Sequence, residues 1–223
     1  MNTQMPETFR LHNFFRSSTS TRLRAALNLK GISYEYLGYA LRKGETRTPE
    51  FLSLNPAGLV PVLERKDGPP LVQSLAIIEW LDETQPGPAL LPRDPDGRAR
   101  VRAISFMIGC EIHPLNNLRV LARLAEQFGA DEAAQKEWFT HWVRTTFDPL
   151  EIMLASDERT GRFCHGDTPG MADCCLYAQI WNNRRFDVDS AAWPTIARIF
   201  AALDDLAAFR DAAPPLQPDA VPA

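Results

Sequence analysis

The hydrophobic period changes along this chain, and the change predicts two structural units of different kinds. From residue 9 to about residue 91, two-residue periods typical of strands alternate with the 3.6-residue period of helices. From about Arg98 onward only helical periods occur. Residues 85–96 carry four prolines and predict a linker. We therefore expect an α/β domain over residues 8–91 and an all-helical domain over residues 97–213.

The first unit has a definite predicted order of elements. The unit begins with a strand from Phe9 and a helix that ends at Gly31. An aromatic second strand follows. A short helix, a hairpin around Asp67–Gly68 and a helix that we expect Ser74 to cap then follow. The order β-α-β-α-β-β-α predicts a small three-layer α/β unit.

The second unit is predicted to contain four helices and an irregular tail. Pro114 should bend or interrupt the first of these helices, because a proline removes a backbone donor and clashes with the preceding turn. Trp138 and Trp142 lie one turn apart in the second helix and are expected in its core. The proline-rich tail from Pro214 is expected to be loosely ordered.

Composition excludes several classes of function. The net charge is −4 and the basic residues form no long run, so nucleic-acid binding has no electrostatic support. No apolar stretch approaches the roughly 18 residues of a membrane helix, and the polar residues 1–8 do not resemble a secretion signal. The four cysteines form no C-x-x-C pair, which favours a reducing cytoplasm. The adjacent Cys174 and Cys175 are expected to be buried, and no metal is predicted.

A cluster of hydroxyl side chains stands between the first strand and the first helix. It reads Arg16-Ser17-Ser18-Thr19-Ser20. The N–H groups and positive dipole end of a helix start favour a bound anion or thiolate. The alternative is simple N-capping, in which the hydroxyl only satisfies the helix start.

Two further turns of the same unit carry weaker signals. Pro61 cannot donate to a sheet and must lie at a strand start or edge. A cis bond there would turn the backbone of Val60 toward a ligand, whereas a trans turn is the more common alternative. Gln73 and Ser74 stand at the start of the third helix, where a hydroxyl either binds a carboxylate or merely caps.

Together these turns resemble the zeta class of the glutathione transferase superfamily. That class carries S-S-C-S-x-R-V-R-I-A-L where this chain reads S-S-T-S-T-R-L-R-A-A-L over Ser17–Leu27. The Val60–Pro61 pair, the run Gln73–Leu81 and the helix start Met171–Asp173 match as well. The resemblance extends from about residue 9 to 218. It implies a thioredoxin-like N-terminal domain followed by an all-α C-terminal domain.

Two departures from the class pattern matter. Thr19 replaces the class cysteine, which removes any covalent role for a protein thiol there. Gly170 replaces the serine or threonine that caps the helix before Met-Ala-Asp. Glycine is a tolerable cap, and Asp173 can still reach back to the Gly170 N–H group.

The resemblance implies a function and a cofactor. Zeta members isomerise maleylacetoacetate or maleylpyruvate from cis to trans in aromatic catabolism, using glutathione. A thiolate adds to the double bond, the resulting single bond rotates, and the thiolate leaves. The alternatives are a general glutathione transferase, an α-haloacid dehalogenase, or a non-catalytic binding protein of the same fold. A homodimer acting on a small anionic substrate is also implied.

The resemblance also assigns roles to particular residues. Ser17 would donate a hydrogen bond to the sulfur, and Arg16 and Arg185 would bind substrate carboxylates, although ordinary salt bridges are the alternative for both arginines. Arg184 could share that role. The residues assigned to catalysis are Arg16, Ser17, Ser18, Thr19 and Arg185. Those assigned to glutathione are Ser17, Thr46, Val60, Pro61, Gln73, Ser74, His113, Asn117 and Arg119.

Overall fold

The computed structural model describes residues 9–221, so the polar segment 1–8 and the predicted domain limit at residue 8 lie outside the described part. Its strands form one four-stranded sheet in the order β2-β1-β3-β4. β1 pairs with β2 in parallel, and the other neighbours are antiparallel. The strands are β1 (Phe9–Asn13), β2 (Tyr34–Gly38), β3 (Val62–Glu64) and β4 (Leu71–Val72).

Three helices of the first unit accompany this sheet, and the predicted element order is confirmed. Buried leucine and isoleucine side chains of the first and third helices form a common core with β1 and β3. The prediction that Ser74 caps the third helix was wrong. Ser74 is the first residue of that helix, and Gln73 precedes it without a side-chain capping bond. The helices are α1 (Ser18–Leu29), α2 (Pro49–Leu54) and α3 (Ser74–Thr84).

The second part of the chain is helical, with two helices more than predicted. The fold class predicted from the sequence, an α/β unit followed by helices, is confirmed. Within residues 9–221 no helix is both long and apolar enough to cross a membrane. The helices are α4 (Pro95–Phe106), α5 (Leu118–Phe128), α6 (Glu132–Ser156), α7 (Met171–Arg184), α8 (Pro194–Asp204) and α9 (Ala207–Arg210).

The break at Pro114 gives the chain a new direction beside the first unit. α4 passes into a π-helical turn, Met107–Ile112, which ends before Pro114 as expected. α5 then begins at Leu118 with Asn117 as its N-cap. The turn between the two helices therefore faces the start of α1.

α7 is the buried central helix and packs against α1. At the start of this helix the carboxylate of Asp173 accepts hydrogen bonds from the backbone N–H groups of Gly170 and Cys164, each at 2.9 Å. Burial raises the pKa of Asp173. Cys174 and Cys175 are fully buried, as predicted.

The expectation for the tryptophans was wrong. Trp138 and Trp142 are half-buried, and the core positions of α6 belong to Phe139 and Val143. The inward face is thus displaced by one residue. The indole N–H of Trp138 donates to the carbonyl of Leu115 at 3.0 Å.

The expectation of a loose tail was also wrong. A short 3₁₀ turn, Pro214–Leu216, follows α9. The side chain of Gln217 is buried, and its amide donates to the carbonyls of Asp211 and Ala213, each at 2.8 Å. These bonds fold the segment back onto the end of α9.

Candidate active site

One cavity of about 390 Å³ lies where the two parts of the chain meet. Its wall is formed by the start of α1, the loop before β3, the start of α3, the π-helical turn and the start of α5. It brings together most of the residues singled out from the sequence. These are Ser17, Thr19, Thr46, Val60, Pro61, Gln73, Ser74, His113, Asn117 and Arg119. Arg16, Ser18 and Arg185 do not line it.

At the start of α1 the hydroxyl groups form an ordered chain. Ser17 is the N-cap, and its oxygen accepts from the Ser20 N–H at 3.3 Å. Thr19 donates its one hydroxyl proton to the carbonyl of Val60 at 3.1 Å. Ser17 must therefore be the donor in its 2.7 Å contact with Thr19. N-capping uses only the oxygen of Ser17, so its hydroxyl can still donate a proton, here to Thr19.

The loop before β3 presents the backbone of Val60 to the cavity. The Val60–Pro61 bond is cis. Asn55, which was not predicted, holds this loop by donating to the carbonyl of Leu59 at 2.8 Å and accepting from the N–H of Ala57 at 3.1 Å. A turn-forming asparagine six residues before the proline was the available signal.

The start of α3 has unusual backbone geometry. Gln73 has φ of 68°, in the left-handed region that residues with a Cβ seldom adopt. Such a conformation is typical of a ligand-binding turn. Ser74 is buried, and the first turn contains no acidic residue, so the positive end of the helix dipole faces the cavity without a protein anion.

His113 is fixed in a single protonation state. The Asn117 side-chain oxygen accepts from the Arg119 N–H at 3.2 Å, so its amide nitrogen faces Nε2 of His113, at 3.4 Å. The proton of the imidazole is therefore on Nδ1, which donates to the hydroxyl of Ser18 at 3.1 Å. Burial, and then the charges of Arg22 and Arg119, lower the pKa of His113 to about 3. This histidine is neutral at physiological pH.

Arg22 lines the same cavity and was missed in the sequence. Its side chain is only 2% exposed, and its Nε and Nη2 atoms have no hydrogen-bond partner among the described residues. It lies one turn after Ser18 on α1, opposite Gly109 of the π-helical turn. Its place inside the motif over residues 17–27 was the available signal. It adds a positive charge at the cavity wall.

Three further arginines, Arg16, Arg42 and Arg185, do not line this cavity. Desolvation, and then the charges of Arg16 and Arg42, lower the pKa of Arg185. None of the three forms an ion pair with an acidic residue of the described chain. The guanidinium of Arg184 packs on two rings, Trp181 and Phe200, 4.6 Å from each centroid, whereas that of Arg185 lies over the single ring of Phe186 at 5.1 Å. The positive charge of Arg16 therefore acts on the guanidinium of Arg185.

Comparison with known proteins places this geometry in a family. Residues 16–84 match the family model described as glutathione S-transferase, N-terminal domain. A maleylpyruvate isomerase of a Ralstonia species is 52% identical over 210 residues, covering 94% of this chain and 99% of the relative.

Two solved structures superpose over nearly the whole chain. One is the holo structure of a maleylpyruvate isomerase, described as a bacterial glutathione transferase of the zeta class. It has a TM-score of 0.92 and 52% identity, and the match covers 95% of this chain and 100% of that one. The other is a maleylacetoacetate isomerase from Methylobacterium extorquens with bound malonate and glutathione. It has a TM-score of 0.92 and 40% identity, over 96% and 100% of the two chains. The chain therefore belongs to the glutathione transferase family, and within it to the zeta class.

Proposed function

We propose that this protein is a glutathione-dependent cis–trans isomerase of a small dianionic enone such as maleylpyruvate or maleylacetoacetate. The observation that carries the proposal is that the guanidiniums of Arg16, Arg42 and Arg185 form no ion pair within the described chain. Arg16 directly precedes Ser17, and its charge acts on Arg185. Guanidinium groups bind carboxylates bidentately and stay charged. Relatives that carry these substrate names are similar over almost their whole length.

The cavity fits glutathione in size and in polarity. Its volume of about 390 Å³ lies within the range of small-molecule sites. The starts of α1 and α3 both face it, and neither has an acidic residue in its first turn. A tripeptide with two carboxylates and a thiolate complements these two positive helix ends.

In this proposal Ser17 turns its hydroxyl proton from Thr19 to the bound sulfur. When bound, glutathione supplies the nucleophile that adds to the double bond and later leaves, so that the bond can rotate. A hydrogen bond from Ser17 and the dipole of α1 favour the thiolate over the thiol. Arg22, buried without an acidic partner in the described chain, adds a positive charge in the same direction.

The remaining wall residues bind and orient. The backbone of Val60 offers a peptide-like edge beside Pro61, and Ser74 and Gln73 stand where a carboxylate meets a helix start. Thr46, His113, Asn117 and Arg119 complete the wall. Outside the cavity, Arg16 and Arg185 hold the substrate carboxylates and the negative charge that develops during addition.

The state and location of the protein are also proposed from its family. We expect a homodimer in the cytoplasm. Sedimentation of the purified protein tests the oligomeric state, and fractionation of the source cells tests the location.

An assay of cis substrate with and without glutathione tests the function. We expect rapid formation of the trans product with glutathione, an unchanged thiol concentration at completion, and no reaction with S-methylglutathione, which binds without supplying a thiolate. Loss of thiol in proportion to product would indicate a transferase instead. Halide release from an α-haloacid without isomerisation would indicate a dehalogenase. Glutathione binding without any turnover would indicate a binding protein.

A further inference from the structure

The segment after α9 folds back onto the loop that leads into Ser17. One carboxylate oxygen of Asp219 accepts from the backbone N–H of Phe15 at 3.2 Å. The other accepts from the hydroxyl of Tyr36, on the edge strand β2. A single side chain thus ties the end of the described chain to the loop between β1 and α1.

The carbonyl of the same loop residue is held as well. Arg24 is fully buried, and its Nη2 donates to the carbonyl of Phe15 at 2.9 Å and to that of Ala212 at 3.0 Å. Its Nη1 donates to the side chain of Asn13 at 2.8 Å. The N–H of Phe15 therefore donates to Asp219 of the C-terminal segment. Its carbonyl accepts from Arg24, which also donates to Ala212 of that segment.

The packing around the carboxylate leaves no room for a side chain on β2. A Cβ placed on Gly38 would lie 2.8 Å from a carboxylate oxygen of Asp219 and 3.0 Å from its Cβ. The buried amide of Gln217 fixes the turn two residues earlier. This contact is thus supported on both sides by specific residues.

The loop that is held in this way carries the catalytic groups. Ser17 follows Phe15 by two residues and closes the turn by donating its N–H to the carbonyl of Phe14 at 3.0 Å. The guanidinium of Arg16 lies over the ring of Phe15, 5.0 Å from its centroid. A shift of Phe15 would move both residues relative to the cavity.

We propose that Asp219 is a positioning residue for Ser17 and Arg16. It acts through the backbone N–H of Phe15 and has no contact with substrate. The inference rests on the proposed function, because the loop matters only if Ser17 serves the sulfur. A misplacement of about 1 Å at a reacting group is enough to cost on the order of 100-fold in rate.

The test compares Asp219→Ala, Asp219→Asn and Gly38→Ala with the control Asp211→Asn. Gly38→Ala keeps the carboxylate but displaces it, and Asp211 is an exposed carboxylate of the same segment. We expect Asp219→Ala to lower kcat by about 10- to 100-fold and to raise the pKa of the bound glutathione thiol, followed by its ultraviolet absorbance. The dissociation constant of glutathione should change by less than about threefold, because Val60, Gln73 and Ser74 are untouched. Asp219→Asn should lie between the wild type and Asp219→Ala.

Several outcomes would overturn the proposal. In one, Asp219→Ala and Gly38→Ala have the same kcat and the same thiol pKa as the control Asp211→Asn, measured where all three variants are folded. Another is an activity loss that merely follows the unfolded fraction. If Asp219→Ala does not fold, Gly38→Ala and Tyr36→Phe decide the matter. If the wild type is not an isomerase, the proposed function fails, but the thiol pKa still tests the positioning role separately.

Discussion

Nδ1 of His113 lies 3.1 Å from the hydroxyl oxygen of Ser18, and this contact joins the π-helical turn to the first turn of α1. Because the pKa of His113 is lowered to about 3, the unfolded chain binds a proton between pH 3 and about 6.5 that the folded chain does not. The free energy of unfolding should therefore fall as the pH drops below about 6.5. His113→Gln should make this fall less steep, measured by urea unfolding at pH 7 and pH 5.

The matched control for this prediction is His141→Gln, on the exposed face of α6. Other buried histidines such as His12 contribute equally to the wild type and to both variants. Identical pH slopes for the wild type and His113→Gln would contradict the assignment of a neutral, fixed imidazole.

Ser17→Ala should lower turnover much more than it weakens glutathione binding. The lost hydrogen bond to a charged sulfur is worth about 1.5–3 kcal/mol, or roughly 10- to 150-fold in kcat. Steady-state kinetics and the thiolate absorbance of bound glutathione measure the effect. Ser53→Ala, on the exposed surface of α2, is the control. Unchanged turnover in Ser17→Ala would remove this hydroxyl from the mechanism and point to Ser18 or Thr19.

Arg185→Ala should separate an anionic substrate from a neutral one. Loss of a guanidinium that binds a carboxylate costs about 2–5 kcal/mol when the pair is buried, so isomerisation should fall by about 30-fold or more. Conjugation of glutathione to a neutral chlorinated nitrobenzene should stay within a few-fold. Arg184→Ala is the control, since its guanidinium packs on Trp181 and Phe200. Equal losses on both substrates would make Arg185 a structural residue.

Gly170→Ser should destabilise the protein although serine is the better helix cap. A Cβ at this position would lie 2.6 Å from the carbonyl oxygen of Leu90, which already accepts from the Met171 N–H at 2.8 Å. Overpacking of this kind costs about 1–3 kcal/mol, which exceeds the few tenths gained at the cap. Urea unfolding measures the change. Gly170→Ala should be at least as harmful, and a serine variant more stable than the wild type would refute the steric argument.

The first unit could be predicted because each of its elements has its own local signal. Periods of two and 3.6 residues, ended by Gly31 or by the Asp67–Gly68 turn, suffice to fix the element order. Ser17 and Ser74 could be singled out for the same reason, since they stand at helix starts where ligands meet backbone N–H groups. Thr46, His113, Asn117 and Arg119 were assigned only from the family resemblance.

The features that could not be predicted depend on contacts between distant residues. Asp219 and Phe15 are 204 residues apart, and no local sequence pattern predicts the hydrogen bond between them. The burial of the Arg22 guanidinium could not be predicted, because the polar residues of α1 are of the kind found on a solvent-exposed helix face. The left-handed backbone of Gln73 and the side-chain hydrogen bonds of Asn55 to its loop are not revealed by residue type alone.

The bond between Phe15 and Asp219 also sets an order of events during synthesis. At roughly 5–20 residues per second, the ribosome needs about 10–40 s to add the 204 residues that separate them. After Thr84 has been added the first unit is complete, but until residue 219 follows, the loop before Ser17 lacks its partner for the Phe15 N–H. A released chain that is truncated shortly before residue 219 should therefore contain both folded units and an unfinished active site.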